Sequence, residues 1–151
     1  MIVSPCMSCI SPWTSFGNHC YLSVTDEKTF DEAEQYCQGL SRLGRPSHLA
    51  SIMSQEENDF LILLIKSTFG QGGMKTWFGY RKDTSLASWR FIDGSLSQGY
   101  TNWYNGRPSG DGYCAEILET ATSDFNLWND LSCNSLRCST CKMAARFSLE
   151  L

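Results

Sequence analysis

The chain has 151 residues, enough for one domain that buries roughly two-thirds of its unfolded surface. Hydrophobic residues are 42%, charged residues 19% and the net charge is −4, so no basic face is large enough to hold a nucleic-acid backbone. The longest apolar run, Phe60 to Ile65, is far below the roughly 20 residues of a membrane span, and no membrane insertion is expected.

The chain begins MIVSPC, with neither a basic n-region nor an apolar h-region. The expectation is a mature secreted protein whose signal peptide is absent or already removed. Eight cysteines follow: Cys6, Cys9, Cys20, Cys37, Cys114, Cys133, Cys138 and Cys141. An even number spread over the whole length reads as up to four disulfides in an oxidising compartment. Two Cys-x-x-Cys pairs, Cys6 with Cys9 and Cys138 with Cys141, have the form of zinc half-sites. Zinc modules close over a short span, whereas about 130 residues separate these pairs, so disulfides are the preferred reading.

Two helices come first. Thr29 with Glu32 three residues on forms a capping box, and Phe30, Ala33, Cys37 and Leu40 fall on one stripe. Gly39 and the turn-rich SRLGRPS end that helix. Ser54 with Glu57 predicts a second capping box, opening a helix that runs to Gly70. Apolar residues cover most of its circumference, which predicts a well-buried helix. After residue 75 the pattern changes. TWFGYRK, SWRFIDG, YCAEIL and RCSTCKM are short and aromatic or β-branched, and they read as strands of a curled antiparallel sheet. The stretch 93–113 is long and turn-rich, a candidate functional loop. The fold class is therefore α+β.

At this point the residues resemble a known family. Cys9 and Cys20 with Trp13 between them, Cys37 at a helix end and WFGY at 77–80 are the first landmarks. Asn102-Trp103, Pro108, Cys114, Trp128-Asn129-Asp130, Cys133 and Cys141 follow in order. Together they resemble the C-type lectin-like domain, and in particular secreted invertebrate lectins, over about residues 9 to 143. The resemblance implies the C-type lectin fold: two helices, curled antiparallel sheets and a long ligand-binding loop, stapled by disulfides. It implies the pairs Cys9–Cys20, Cys37–Cys141 and Cys114–Cys133. Cys6 and Cys138 are then left to pair with each other or to bridge to a second chain, which would give a homo- or heterodimer. The division is an extension with an extra cysteine at 1–8, a carbohydrate-recognition domain at 9–146 and a tail at 147–151.

In the sugar-binding members a calcium ion sits on the loop. A tripeptide with a central proline holds it, together with a following glutamate and the Asn-Asp of the Trp-Asn-Asp motif. The equivalent residues here are Arg107, Pro108 and Ser109, then Glu116, Asn129 and Asp130. The tripeptide departs from the Glu-Pro-Asn or Gln-Pro-Asp of the family, the stretch to Cys114 is shorter than usual, and Tyr113 stands where an acidic residue often precedes that cysteine. A guanidinium has five donors, no acceptor and a fixed charge, so it cannot coordinate a cation. No metal or other cofactor is expected; if calcium binds, Glu116, Asn129 and Asp130 would hold it, with Asp111 as a further carboxylate. Without a metal, Glu116 and Asp130 face each other as like charges, and Arg107 is expected to lie between them in the ion's place. Its remaining donors would suit an acetamido carbonyl or a carboxylate.

The expected function is a secreted lectin for N-acetylated hexosamines on cell or microbial surfaces, with little or no calcium requirement and a role in innate recognition. The alternatives are a protein-binding domain without sugar binding and a calcium-dependent galactose- or mannose-type lectin. Tyr113, Tyr104 and Tyr100 are candidates to offer a ring to a sugar. Asn129 and Asp130 also have a structural reading as turn caps near Cys133. Trp77, Trp103 and Trp128 read as core, and His19 and His48 as structural. Nucleophile elbows, zinc-protease helices and phosphate-binding loops are all missing from the sequence. Glu116 and Asp130 alone, on a shallow surface, do not make a glycosidase.

Overall fold

The computed structural model describes residues 5–70, 74–119 and 126–149. Its elements are β1 (Pro5–Ser8), β2 (Thr14–Phe16), β3 (His19–Lys28), α1 (Phe30–Gly39), β4 (His48–Leu49) and α2 (Gln55–Phe69). Then come β5 (Lys75–Asp83), β6 (Ser88–Phe91), β7 (Cys114–Glu119), β8 (Asn126–Leu131), β9 (Arg137–Ala144) and β10 (Arg146–Leu149).

The cap of α1 forms as its sequence demands. Thr29 Oγ1 accepts from Glu32 N–H at 3.3 Å, and Glu32 Oε1 accepts from Thr29 N–H at 3.0 Å. Phe30, Ala33 and Cys37 then face inward. At α2 only half of the expected capping box is made. Ser54 Oγ accepts from Glu57 N–H at 3.1 Å, but the Glu57 carboxylate does not return to the Ser54 backbone. It accepts from Met53 N–H at 2.7 Å, from Lys142 Nζ at 2.5 Å and from the Tyr21 hydroxyl. A buried ammonium on β9 is a stronger partner for a carboxylate than a neutral amide. Leu61, Ile62 and Ile65 of α2 are buried while Leu63 is 67% exposed, so the helix is buried on one face rather than around its circumference. No helix among the described residues is long and apolar enough to cross a membrane.

The large sheet has eight strands in the order β2-β3-β9-β5-β7-β8, with β4 on β9 and β6 on β5. The sheet is mixed, not purely antiparallel: β5 and β9 run parallel, with Thr76 opposite Cys138 and Trp77 opposite Ser139. A parallel pair needs a long crossover, and everything from β6 to β8 supplies it. β1 and β10 form a separate antiparallel ribbon that joins the two ends of the chain, Cys6 opposite Ser148.

The motif WFGY occupies the middle of β5. Trp77 packs with Phe30, Ala33, Leu49 and Cys114 below α1, and Phe78 and Tyr80 join Leu61, Ile65 and Trp128 below α2. The intervening Gly79 is required by contact: a Cβ there would lie 2.4 Å from the carbonyl oxygen of Leu49. Its N–H donates to Ala50 O at 2.7 Å instead. Disulfides join Cys9–Cys20, Cys37–Cys141 and Cys114–Cys133. The second closes a loop of 104 residues and so limits the unfolded chain by about 4–5 kcal/mol in the chain-entropy account. Cys6 is exposed, Cys138 is buried with its thiol toward Thr25 O, and no disulfide joins the two.

Candidate functional site

The candidate site is built where the loop before β7 meets β8. Trp128 anchors its entry: its N–H donates to Asn102 O and its carbonyl accepts from Tyr104 N–H, both at 2.8 Å. The indole Nε1 is fixed from below by Asn58 Oδ1 at 2.8 Å. Trp103 is part-buried and packs edge-on against Trp128 and Trp89, so both tryptophans belong to the core beneath the loop. Tyr100 is held there too, its hydroxyl donating to Gln55 at 3.1 Å and its ring edge-on to Trp128. Burial pushes its phenol up to about 12, helped by Asp59 and Glu56. That leaves Tyr104 and Tyr113, 45% and 49% exposed, as the rings open to a ligand.

Beyond Gly106 the chain turns through the cis Arg107–Pro108 bond. It then wraps the Asp130 carboxylate, which is almost fully buried. The N–H groups of Ser109, Gly110 and Asp111 donate to it at 3.0, 2.9 and 3.1 Å, and the Ser109 hydroxyl lies at 3.4 Å. Gly110 takes φ +91°, a conformation glycine adopts readily, and so keeps three successive amides aimed at one anion. Gly112 leaves no alternative, because a Cβ there would sit 1.9 Å from the Leu131 carbonyl carbon. Tyr113 O then accepts from Lys82 N–H at 2.8 Å and returns the chain to β5. Asp130 is therefore a cap, as its structural reading has it, and it caps this loop rather than a turn near Cys133.

Glu116 is buried on β7 directly opposite Asn129 on β8. Its Oε2 accepts from Asn129 Nδ2 at 2.9 Å. Its Oε1 accepts from Arg137 Nε at 2.6 Å, a charge-assisted bond from the first residue of β9. This overturns the expectation that Arg107 lies between Glu116 and Asp130. Arg107 Nη1 instead donates to Ser109 Oγ at 2.5 Å and to Asp111 Oδ2 at 2.6 Å. The Ser109 hydroxyl, and then Arg107, hold the Asp111 carboxyl below its ordinary value of 3.8. The reason for the difference is competition. Asp111 lies four residues from Arg107, while three amides already satisfy Asp130 and Arg137 already satisfies Glu116. Asp111, the further carboxylate expected for an ion, has one of its oxygens on Arg107 Nη1.

Calcium needs six to eight oxygens. Here one carboxylate carries a guanidinium, the second is filled by amides, and a second guanidinium stands at the tripeptide. A unit charge a few Å from a divalent ion costs several kcal/mol even at an effective dielectric of about 20. These donors do not fit the ion, and among the described residues no three His, Cys, Asp or Glu side chains gather to hold a metal. Arg137 had no local signal in the sequence. Only the general rule that a buried carboxylate needs a cation, applied across the sheet, would have found it. His48 Nδ1 lies 2.7 Å from Glu34, tying β4 to α1, and His19 is part-buried on β3.

The Lectin C-type domain family model matches residues 26–143. The alpha-N-acetylgalactosamine-specific lectin of Patiria pectinifera is 35% identical over 138 residues, 87% of this chain and 78% of that protein. Human lithostathine superposes with a TM-score of 0.78 at 28% identity, covering 90% of this chain and 99% of that one. The C-type lectin CEL-I of Cucumaria echinata gives 0.79 at 25% identity, covering 91% and 99%. The family is a non-enzymatic, glycan-binding one, so the carboxylates here are not a catalytic pair. By family model, relatives and fold alike, the chain belongs to the C-type lectin domain family.

Proposed function

We propose that this chain is a secreted lectin domain that recognises N-acetylated hexosamines with little or no calcium requirement, in the setting of innate glycan recognition. The observation that supports the reading is the pairing of Arg137 with Glu116, which already supplies a fixed positive charge to one of the carboxylates expected to hold a metal. Arg107 adds a second charge, steadied by Asp111 and 31% exposed. Its remaining N–H groups are donors for an acetamido carbonyl, Ser109 adds a hydroxyl, and Tyr104 and Tyr113 are rings for a sugar's C–H face. A relative named for N-acetylgalactosamine supports this choice of sugar. A single shallow site of this kind binds weakly, and a homo- or heterodimer would raise avidity without new contacts.

One observation favours a second reading, a protein-binding domain without sugar binding: both carboxylates are already satisfied from within the chain. A glycan array run with calcium and with excess EDTA separates the two. Signal on N-acetylhexosamines that survives EDTA supports the proposal. Signal that EDTA removes contradicts the calcium part, and silence in both conditions contradicts the sugar part.

A further inference from the structure

A cleft of about 430 Å³ opens below the loop, between β5, β6 and the start of β7. Its walls are Arg81, Lys82, Asp83, Arg90, Phe91 and Tyr113. Only Tyr113 is shared with the site above, and the volume falls in the usual range for a small-ligand pocket. Arg81 and Arg90 stand directly opposite each other on β5 and β6. Like charges in that position are destabilising in the absence of a counter-charge. Arg81 is partly balanced by Asp31 at 2.9 Å and stacks over Phe30. Arg90 and Lys82 form no ion pair among the described residues; Lys82 Nζ sits 5.7 Å over the Tyr113 ring. The carboxylate in the lining, Asp83, spends one oxygen on Ser85 N–H, Ser85 Oγ and Leu86 N–H at 2.9, 2.6 and 3.2 Å, and its charge partly offsets that of Arg90, so the lining carries three cations against one carboxylate. A chain of net charge −4 thus concentrates three cations around one concavity whose floor is Phe91 and whose lip is an exposed tyrosine.

We infer that this cleft is a second binding site, taking an anionic saccharide: a sugar that carries a sulfate ester or a carboxylate. Arg90 and Lys82 meet the anion, Arg81 adds a nearby charge, and the Tyr113 ring lies against the sugar. The choice of a saccharide over another anion rests on the lectin reading above; the choice of an anion rests on the cleft alone. The same loop would then present a neutral sugar to Arg107 and an acidic one to Arg90.

The test is calorimetry on the full chain in EDTA with four probes: a chondroitin sulfate tetrasaccharide, its desulfated form, inorganic sulfate and N-acetylgalactosamine. The variants are Arg90→Glu, Tyr113→Ala and, as a control with the same charge change on an exposed residue outside the cleft, Arg42→Glu. The expected result is that Arg90→Glu weakens the sulfated tetrasaccharide about tenfold or more. Tyr113→Ala weakens it about fivefold, and Arg42→Glu changes it by less than about twofold. N-acetylgalactosamine binding is unchanged by Arg90→Glu and Arg42→Glu. Loss of the desulfated probe identifies the sulfate ester as the recognised group, and its retention identifies the carboxylate. Equal losses from Arg90→Glu and Arg42→Glu, or none from either, would overturn the site. Inorganic sulfate binding as tightly as the tetrasaccharide would overturn the saccharide. Acidic-probe binding that depends on Arg90 in a chain that ignores N-acetylgalactosamine would leave the cleft standing and sink the neutral-sugar proposal alone.

Discussion

At the loop tip Arg107 reaches Asp111, four residues along, in a pair whose carboxylate is 67% exposed. Deeper in the sheet Arg137 reaches Glu116, whose side chain is 1% exposed, across strands that meet only through the fold. The chemistry is the same and the physics differs. The tip pair forms because its partners are close along the chain, and water screens it; such pairs contribute little to stability. The inner pair is set by topology and its carboxylate is buried, so removing Arg137 leaves the Glu116 charge with only the neutral Asn129 amide to meet it. On the proposed reading the tip is the part that serves binding, and the inner pair is the part that holds the strands together.

The largest expected effect lies on the inner pair. Arg137→Ala should destabilise the domain by about 3–5 kcal/mol, read from urea unfolding. The double variant Arg137→Ala, Glu116→Gln should recover a good part of that loss, and an additive double variant would contradict the pairing. Asp130→Asn comes next. It keeps the size of the side chain but removes the charge that gathers three amides, at an expected cost of about 1–3 kcal/mol. The loss should be accompanied by faster hydrogen exchange at Ser109, Gly110 and Asp111; unchanged exchange there would refute the capping role. Arg107→Gln should leave the thermal midpoint where it is while weakening N-acetylhexosamine binding about tenfold, as loss of a charge-assisted bond predicts. A shifted midpoint with intact binding would exchange the roles assigned to the two regions.

The smallest effect is that of pH. Burial, and then the charge of Lys142, hold His19 below its ordinary 6.5. Protonation therefore favours the unfolded chain: the His19 contribution is complete above 6.5 and stability falls as pH drops below that value. Asp111 has its carboxyl held below 3.8, so its contribution is present above that value and is lost only as pH falls through the lower folded pKa. Between about pH 6.5 and about pH 4 the melting temperature should decline slightly while sugar affinity stays level. A parallel fall in both would tie the loop to a group other than Asp111.

What could be read from the sequence depended on distance along the chain. The Thr29–Glu32 cap, the WFGY strand and the cysteine landmarks are local patterns, and each appears in the fold where its spacing places it. The Ser54–Glu57 pattern looks the same as the first, yet Glu57 turns to Lys142, 85 residues away, which no local window contains. The parallel pairing of β5 with β9 escaped for the same reason. At the site Asp130 meets the loop beside the cis proline, whereas Glu116 and Asn129 pair with each other across β7 and β8, and the cation expected from the motif, Arg107, is not the one that meets Glu116. The actual partner sits on β9, and a short-range contest won by Asp111 kept Arg107 at the surface.

The most direct test of a metal-free site is to titrate calcium into the intact domain while following its thermal midpoint. Any ligand that binds the folded state alone stabilises it by RT ln(1 + L/Kd), with L the free ligand concentration, and so raises that midpoint as its concentration exceeds Kd. With Arg137 on Glu116 and Arg107 at the tripeptide, calcium up to about 10 mM should leave the midpoint unchanged, even in the presence of N-acetylgalactosamine. A rise of several degrees that grows with the logarithm of calcium concentration, and that is absent in Asp130→Asn, would show that the ion binds at this site and would contradict a metal-free one.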